Sequence, residues 1–102
     1  MLIVTGTIKV ESAEEMERVR DALAARAERS RKDAGNIDYV FTLNIEDPTE
    51  IRLIEKWESV EALHAHLQIP DDEFSAVLGT ARIDTAIVVS NEVTGERVLM
   101  ER

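Results

Sequence analysis

The chain has 102 residues, 44% hydrophobic and 32% charged, enough for one domain with a modest core and too apolar for a disordered chain. It contains no cysteine, which excludes disulfides, thiolate nucleophiles and cysteine-held zinc or iron–sulfur centres. With 21 acidic and 12 basic residues the net charge is −9, a field that repels phosphate backbones and anionic lipid, so neither nucleic acid nor a membrane is an expected partner.

Met1-Leu2-Ile3-Val4 leads straight into a strand with no basic segment or cleavage site, and no apolar run reaches a membrane-spanning length. The expected location is therefore the cytoplasm. Residues 2–10 alternate, with Leu2, Val4, Ile8 and Val10 on one side, as a half-buried strand does. Ser12 precedes Glu15 by three, the spacing at which each side chain satisfies the other's free backbone N–H at a helix start. Met16, Val19, Leu23 and Ala27 then form a helical stripe, which Ala34-Gly35-Asn36 stops. Ile37, Tyr39, Phe41, Leu43 and Ile45 share one face of a second strand, and Asp47-Pro48 is the expected turn. A third strand sets Ile51, Leu53, Glu55 and Trp57 on one face and Arg52, Ile54 and Lys56 on the other. Ser59 caps a second helix with Val60, Leu63 and Leu67 as its stripe. Pro70-Asp71-Asp72-Glu73 opens a further helix with Phe74, Val77 and Leu78 on its core side and Gly79 as its end. Ile83, Thr85, Ile87 and Val89 make a fourth strand, and Arg97-Val98-Leu99-Met100 a short last one after a turn at Thr94-Gly95.

This order, β-α-β-β-α-β with a tail strand, predicts a single α+β domain over residues 1–102: a ferredoxin-like antiparallel sheet with helices on one face. The bare face would carry Ile3, Val40, Ile54 and Val88. An apolar patch of that kind wants a cover, and a second copy of the same sheet supplies one. The expectation is a homodimer packed sheet to sheet, its tail strands exchanging edges.

No glycine-rich phosphate loop, dinucleotide fingerprint or nucleophile elbow is present, and no cofactor or metal is expected. His64 and His66 stand two apart on a helix and point to different sides, so they do not share an ion; His64 reads as a surface residue. His66 leans toward the core and needs a hydrogen-bond partner there, with Glu55 the obvious candidate on the facing strand. A carboxylate and an imidazole aimed into one apolar space outline a pocket, although a satisfied Glu–His pair would look the same. Trp57 reads as core or as a site residue needing a partner for its N–H, Tyr39 adds a hydroxyl, and Phe74 forms a wall. Such a pocket suits a flat aromatic ligand. Oxygen chemistry without a cofactor would draw its electrons from a phenol, quinol or anthrone that has lost a proton, with the protein removing the proton and steadying the anion.

The segments Gly35-Asn36-Ile37-Asp38-Tyr39, Asp47-Pro48, Glu55-Lys56-Trp57-Glu58-Ser59, Glu61-Ala62-Leu63-His64-Ala65-His66 and Pro70 resemble the antibiotic biosynthesis monooxygenase family. The resemblance implies a dimeric α/β barrel and a cofactor-independent monooxygenase, and carries over His66 and Trp57 as catalytic positions with Glu55 as a third. Polyketide-oxidising members pair the Trp with an Asn four residues earlier, where this chain has Leu53. The haem-degrading branch uses an Asn in the first strand and a His in the helix after the pocket; here those regions read Val4-Thr5-Gly6-Thr7 and Phe74–Leu78, with neither. Three readings stay open: a monooxygenase of a small phenolic or quinol, a non-catalytic module that binds a small aromatic molecule, and an isomerase or lyase using Glu55 and His66 as acid and base.

Overall fold

Alternating apolar residues build four strands and 3.6-residue stripes build three helices, in the order β1 (Leu2–Val10), α1 (Ala13–Ser30), β2 (Asn36–Asn44), β3 (Asp47–Trp57), α2 (Val60–Leu67), α3 (Asp72–Thr80) and β4 (Ile83–Glu92). The computed structural model describes residues Met1–Arg102. The strands form one antiparallel sheet ordered β2-β3-β1-β4, the ferredoxin-like α+β arrangement. Val4, Glu55 and Tyr39 lie side by side across β1, β3 and β2 on the face that the helices cover.

The core sits between that face and α1. Met16, Val19, Leu23 and Ala27 are all buried, as their spacing requires. One cluster joins Ala27 to Leu2, Val4, Tyr39, Leu53 and Trp57; a second joins Met16, Val19 and Leu23 to Val10 and Ile51. Ser12 caps α1 by accepting from the Glu15 N–H at 3.1 Å. The reciprocal bond is absent. The Glu15 carboxylate is taken instead by the Arg18 guanidinium one turn on and by the Arg82 N–H at 2.9 Å, which together hold its pKa down to about 2. Ser59 and Asp71 cap α2 and α3 in the same way.

Four expectations are corrected. The hairpin turns at Ile45-Glu46, two residues before Asp47-Pro48, because the Asn44 side chain accepts from the Glu46 N–H at 2.9 Å and closes the turn there. Leu67 stands exposed, and α2 turns Ala62, Leu63 and His66 inward instead. No strand follows Glu92: after Val93 donates to the Met1 carbonyl, residues 94–102 find no ladder partner, and Val98, Leu99 and Met100 are exposed. Finally, Val88 lies on the helix side, opposite Gly6, while Ile87 and Val89 lie on the bare face. The cause is a bulge. Ile83 pairs with Val10 but Thr85 pairs with Lys9, so one extra residue on β4 inverts the inside–outside alternation beyond it. The bare face therefore carries Ile3, Val40, Ile54, Ile87 and Val89.

Candidate functional site

Strand alternation brings Glu55 and Trp57 to the covered face of β3, and the Trp57 indole N–H donates to Glu55 Oε1 at 2.8 Å. Tyr39 reaches the same face from β2, directly beside Glu55. The fourth member comes from α2, whose position depends on Gly35. That residue has φ +80°, its carbonyl accepts from the Glu58 N–H at 2.8 Å, and a Cβ there would stand 2.5 Å from Ala62 Cβ. Only glycine lets α2 approach this closely. His66, one turn beyond Ala62, is thereby laid against Trp57, with ring centroids 4.6 Å apart, and 5.7 Å from Tyr39. Trp57 is 0% and His66 2% exposed.

His66 does not bond to Glu55, as its place in the sequence suggested. Its Nδ1 meets Asp33 Oδ2 at 2.6 Å, and its Nε2 meets Arg26 Nη2 at 3.1 Å. Glu55 is already engaged by the indole N–H on its own strand, while Asp33, in the turn after α1, faces the imidazole from the other side. A guanidinium can only donate, so Nε2 accepts and the imidazole proton sits on Nδ1 toward Asp33. The result is a neutral histidine pinned at both nitrogens. Arg26 is itself held by Asp71 at 3.2 Å, and its Cζ lies 4.9 Å from the centre of the Phe74 ring, while its buried Nε has no partner. Phe74 thus joins the group through Arg26 and through Phe41, at 6.4 Å between ring centres.

Burial pushes the Glu55 carboxyl up, opposed by the Trp57 N–H and by the Arg26 guanidinium. Burial also raises the Tyr39 phenol, with the Glu55 charge adding to it and Arg26 and Ser30 opposing, so the hydroxyl remains protonated at neutral pH. The group therefore offers a neutral imidazole, an acid of weakened acidity, a phenol and a fixed cation within one shielded space. No three His, Asp or Glu side chains converge to hold a metal ion.

The fold brings His66, Trp57, Glu55 and Tyr39 together, as strand and helix periodicity places them, and adds Arg26 and Asp33, neither of which was anticipated from the sequence. Arg26 had a signal: Ala22, Arg26 and Ser30 form an i, i+4 row beside the apolar stripe of α1, and Ala22 and Ser30 are buried. Asp33 had none, because a turn residue has no periodicity. A second correction concerns the cavity. None of the five anticipated residues lines the cavity between α1 and β2: Trp57 and Glu55 bond to each other, His66 bonds to Asp33 and Arg26, and Phe74 packs on Arg26 and Phe41. That cavity, about 410 Å³, lies against Leu23, Ala27, Phe41 and Leu43, and a second open space of about 460 Å³ lies on the bare sheet face between Thr5, Ile54, Ile87 and Val89.

Comparison with known proteins gives the same framework. The family model described as antibiotic biosynthesis monooxygenase matches residues 1–76. A structure from Deinococcus radiodurans, provisionally assigned as an antibiotic biosynthesis monooxygenase, superposes with a TM-score of 0.89 at 24% identity, covering 99% of this chain and 100% of that one. A provisionally assigned counterpart from Nitrosomonas europaea superposes with a TM-score of 0.82 at 17% identity, covering 91% of this chain and 98% of its own. No curated protein matches the chain. By its family-model match over three-quarters of its length, with the fold of both structures, the chain belongs to the antibiotic biosynthesis monooxygenase family.

Proposed function

We propose that the protein is a cytoplasmic, cofactor-independent monooxygenase that oxidises a small phenolic or quinol-type aromatic with dioxygen and acts as a homodimer. The observation that carries this reading is the neutral His66 held against the Trp57 ring, its proton directed to Asp33 and its basic Nε2 facing Arg26. A phenol hydroxyl that takes Arg26's place at Nε2 gives its proton to the imidazole. Asp33 steadies the imidazolium that forms, and the displaced guanidinium stands beside the new phenolate. The electron-rich anion then reduces dioxygen. One oxygen atom enters the substrate and the other leaves as water, so the substrate supplies every electron. Trp57 and Tyr39, which flank the His66 ring, wall the space that Arg26 leaves when the substrate enters. Glu55 acts by holding the indole, through the bond to its N–H. The isomerase or lyase alternative uses Glu55 and His66 as acid and base on one substrate; here Glu55 is engaged by the Trp57 N–H, and His66 by Asp33 and Arg26.

The homodimer rests on the bare sheet face, where Ile87 and Val89 are exposed beside half-buried Ile3, Val40 and Ile54. A second copy covers this patch, and the exposed apolar side chains of the tail with it.

Oxygen consumption by the purified protein, measured across a panel of quinols and anthrones, tests the activity. The expected result is uptake well above the buffer rate with at least one compound, falling about a hundredfold or more in His66→Ala, in keeping with the contribution of a general base. Uptake no faster than buffer across the panel, or a His66→Ala protein as active as the original, contradicts it.

A further inference from the structure

We propose that the cavity between α1 and the edge strand β2 is a binding site for a small amphipathic carboxylate, separate from the histidine cluster. Two features point there. The first is the lining. In a space of about 410 Å³, within the range of small-molecule sites, Met16, Leu23, Ala27, Phe41, Leu43 and Ile51 supply an apolar wall able to enclose a ring or a short chain. The second is charge. Arg20 and Arg31 complete the lining, and both are exposed, which places them on the solvent side of the apolar wall.

Arg31 is the anchor. In this acidic chain Arg18, Arg26, Arg29 and Arg52 each hold a carboxylate. Arg31 holds none. Its Nη1 donates to the Tyr39 carbonyl at 2.7 Å, which fixes the guanidinium over the cavity, and its other N–H groups have no protein partner. Arg20 is engaged only by a long, exposed contact of 3.7 Å to Glu17. A tethered guanidinium with free donors beside an apolar cavity complements a carboxylate with an apolar body, because the fork of N–H groups matches the two oxygens while the body leaves water. A neutral apolar molecule would leave those donors unused. His66, Trp57 and Glu55 do not line the cavity, so this site stands or falls independently of the proposed oxygen chemistry.

Titration of the full chain with 1-naphthoate, followed through backbone amide NMR shifts, tests the site. The expected result is saturable binding whose shifts map to Leu23, Ala24, Ala27 and Leu43. Affinity should fall about tenfold in Arg31→Gln, the loss of one charge-assisted contact, and by a similar factor for neutral 1-naphthalenemethanol. Ala24 is exposed at the cavity, so Ala24→Phe should block it without disturbing the core and abolish binding, while His66→Ala should bind normally. Four results overturn the proposal: no saturable binding; shifts centred on the bare sheet face; equal binding by Arg31→Gln; or a cavity that a partner's tail already fills, revealed by concentration-dependent shifts of Val98–Met100 together with Leu43.

Discussion

Strands β3 and β4 both pair with β1 and both carry runs of branched apolar residues, yet they end in opposite surroundings. On β3, Ile51, Leu53, Glu55 and Trp57 are all buried; on β4, nothing beyond Ile83 is better than exposed. The difference comes from the helices. α1 packs on β1, β2 and β3, and no helix packs on β4 to a comparable extent. Burial in this sheet is thus assigned by helix placement and not by strand composition. The covered side can afford a buried carboxylate and imidazole because a full shell of partners surrounds them, while the uncovered side presents exposed Ile87 and Val89.

The largest effect that sharpens this contrast should come from Trp57→Ala, which empties the centre of the covered half. We expect a loss of about 3–5 kcal/mol in urea unfolding, against a change within about 0.5 kcal/mol for Val89→Ala in dilute protein. Comparable losses at the two positions would break the distinction. Gly35→Ala should follow, at about 1–3 kcal/mol, since it adds a side chain at φ +80° and drives a methyl into Ala62. Because Gly35 seats α2, the same variant should shift the His66 ring resonances, and an unchanged imidazole spectrum would show that α2 is held by something else.

A smaller effect is expected from Glu55→Gln. Burial raises the Glu55 pKa, so the folded protein binds its proton more tightly than the unfolded chain does. The corresponding stability is fully present below the ordinary carboxylate range and is lost as pH rises through the raised value. Glutamine keeps an oxygen for the Trp57 N–H and has no charge to bury. The variant should therefore gain in urea midpoint relative to the original as pH is raised from 4 to 8. A constant difference across that range would mean that the carboxylate is solvated in the fold.

Much of this was legible in the sequence. Periodicity located every helix and the four strands, and it put Glu55, Trp57, Tyr39 and His66 toward one another. Hydrogen-bond partners were not legible to the same degree. Glu55 and His66 were the nearest complementary groups by pattern, but a neighbour on the same strand and a turn residue took their bonds. Nor was the face of Val88, because a single bulged residue near Asp84 inverts a strand without altering its composition. The tail shows a further limit: Arg97–Met100 has the look of a strand, and a strand without a partner does not form.

The proposal that the bare face of the sheet is covered by a second copy is tested most directly by sedimentation equilibrium over a range of concentrations. The account predicts a species of twice the 11.5 kDa chain mass at micromolar concentration, and a folded monomer for Ile87→Ser, which alters only the bare face. An original protein that stays monomeric at the highest concentrations, or an Ile87→Ser protein that still pairs as tightly, would contradict it.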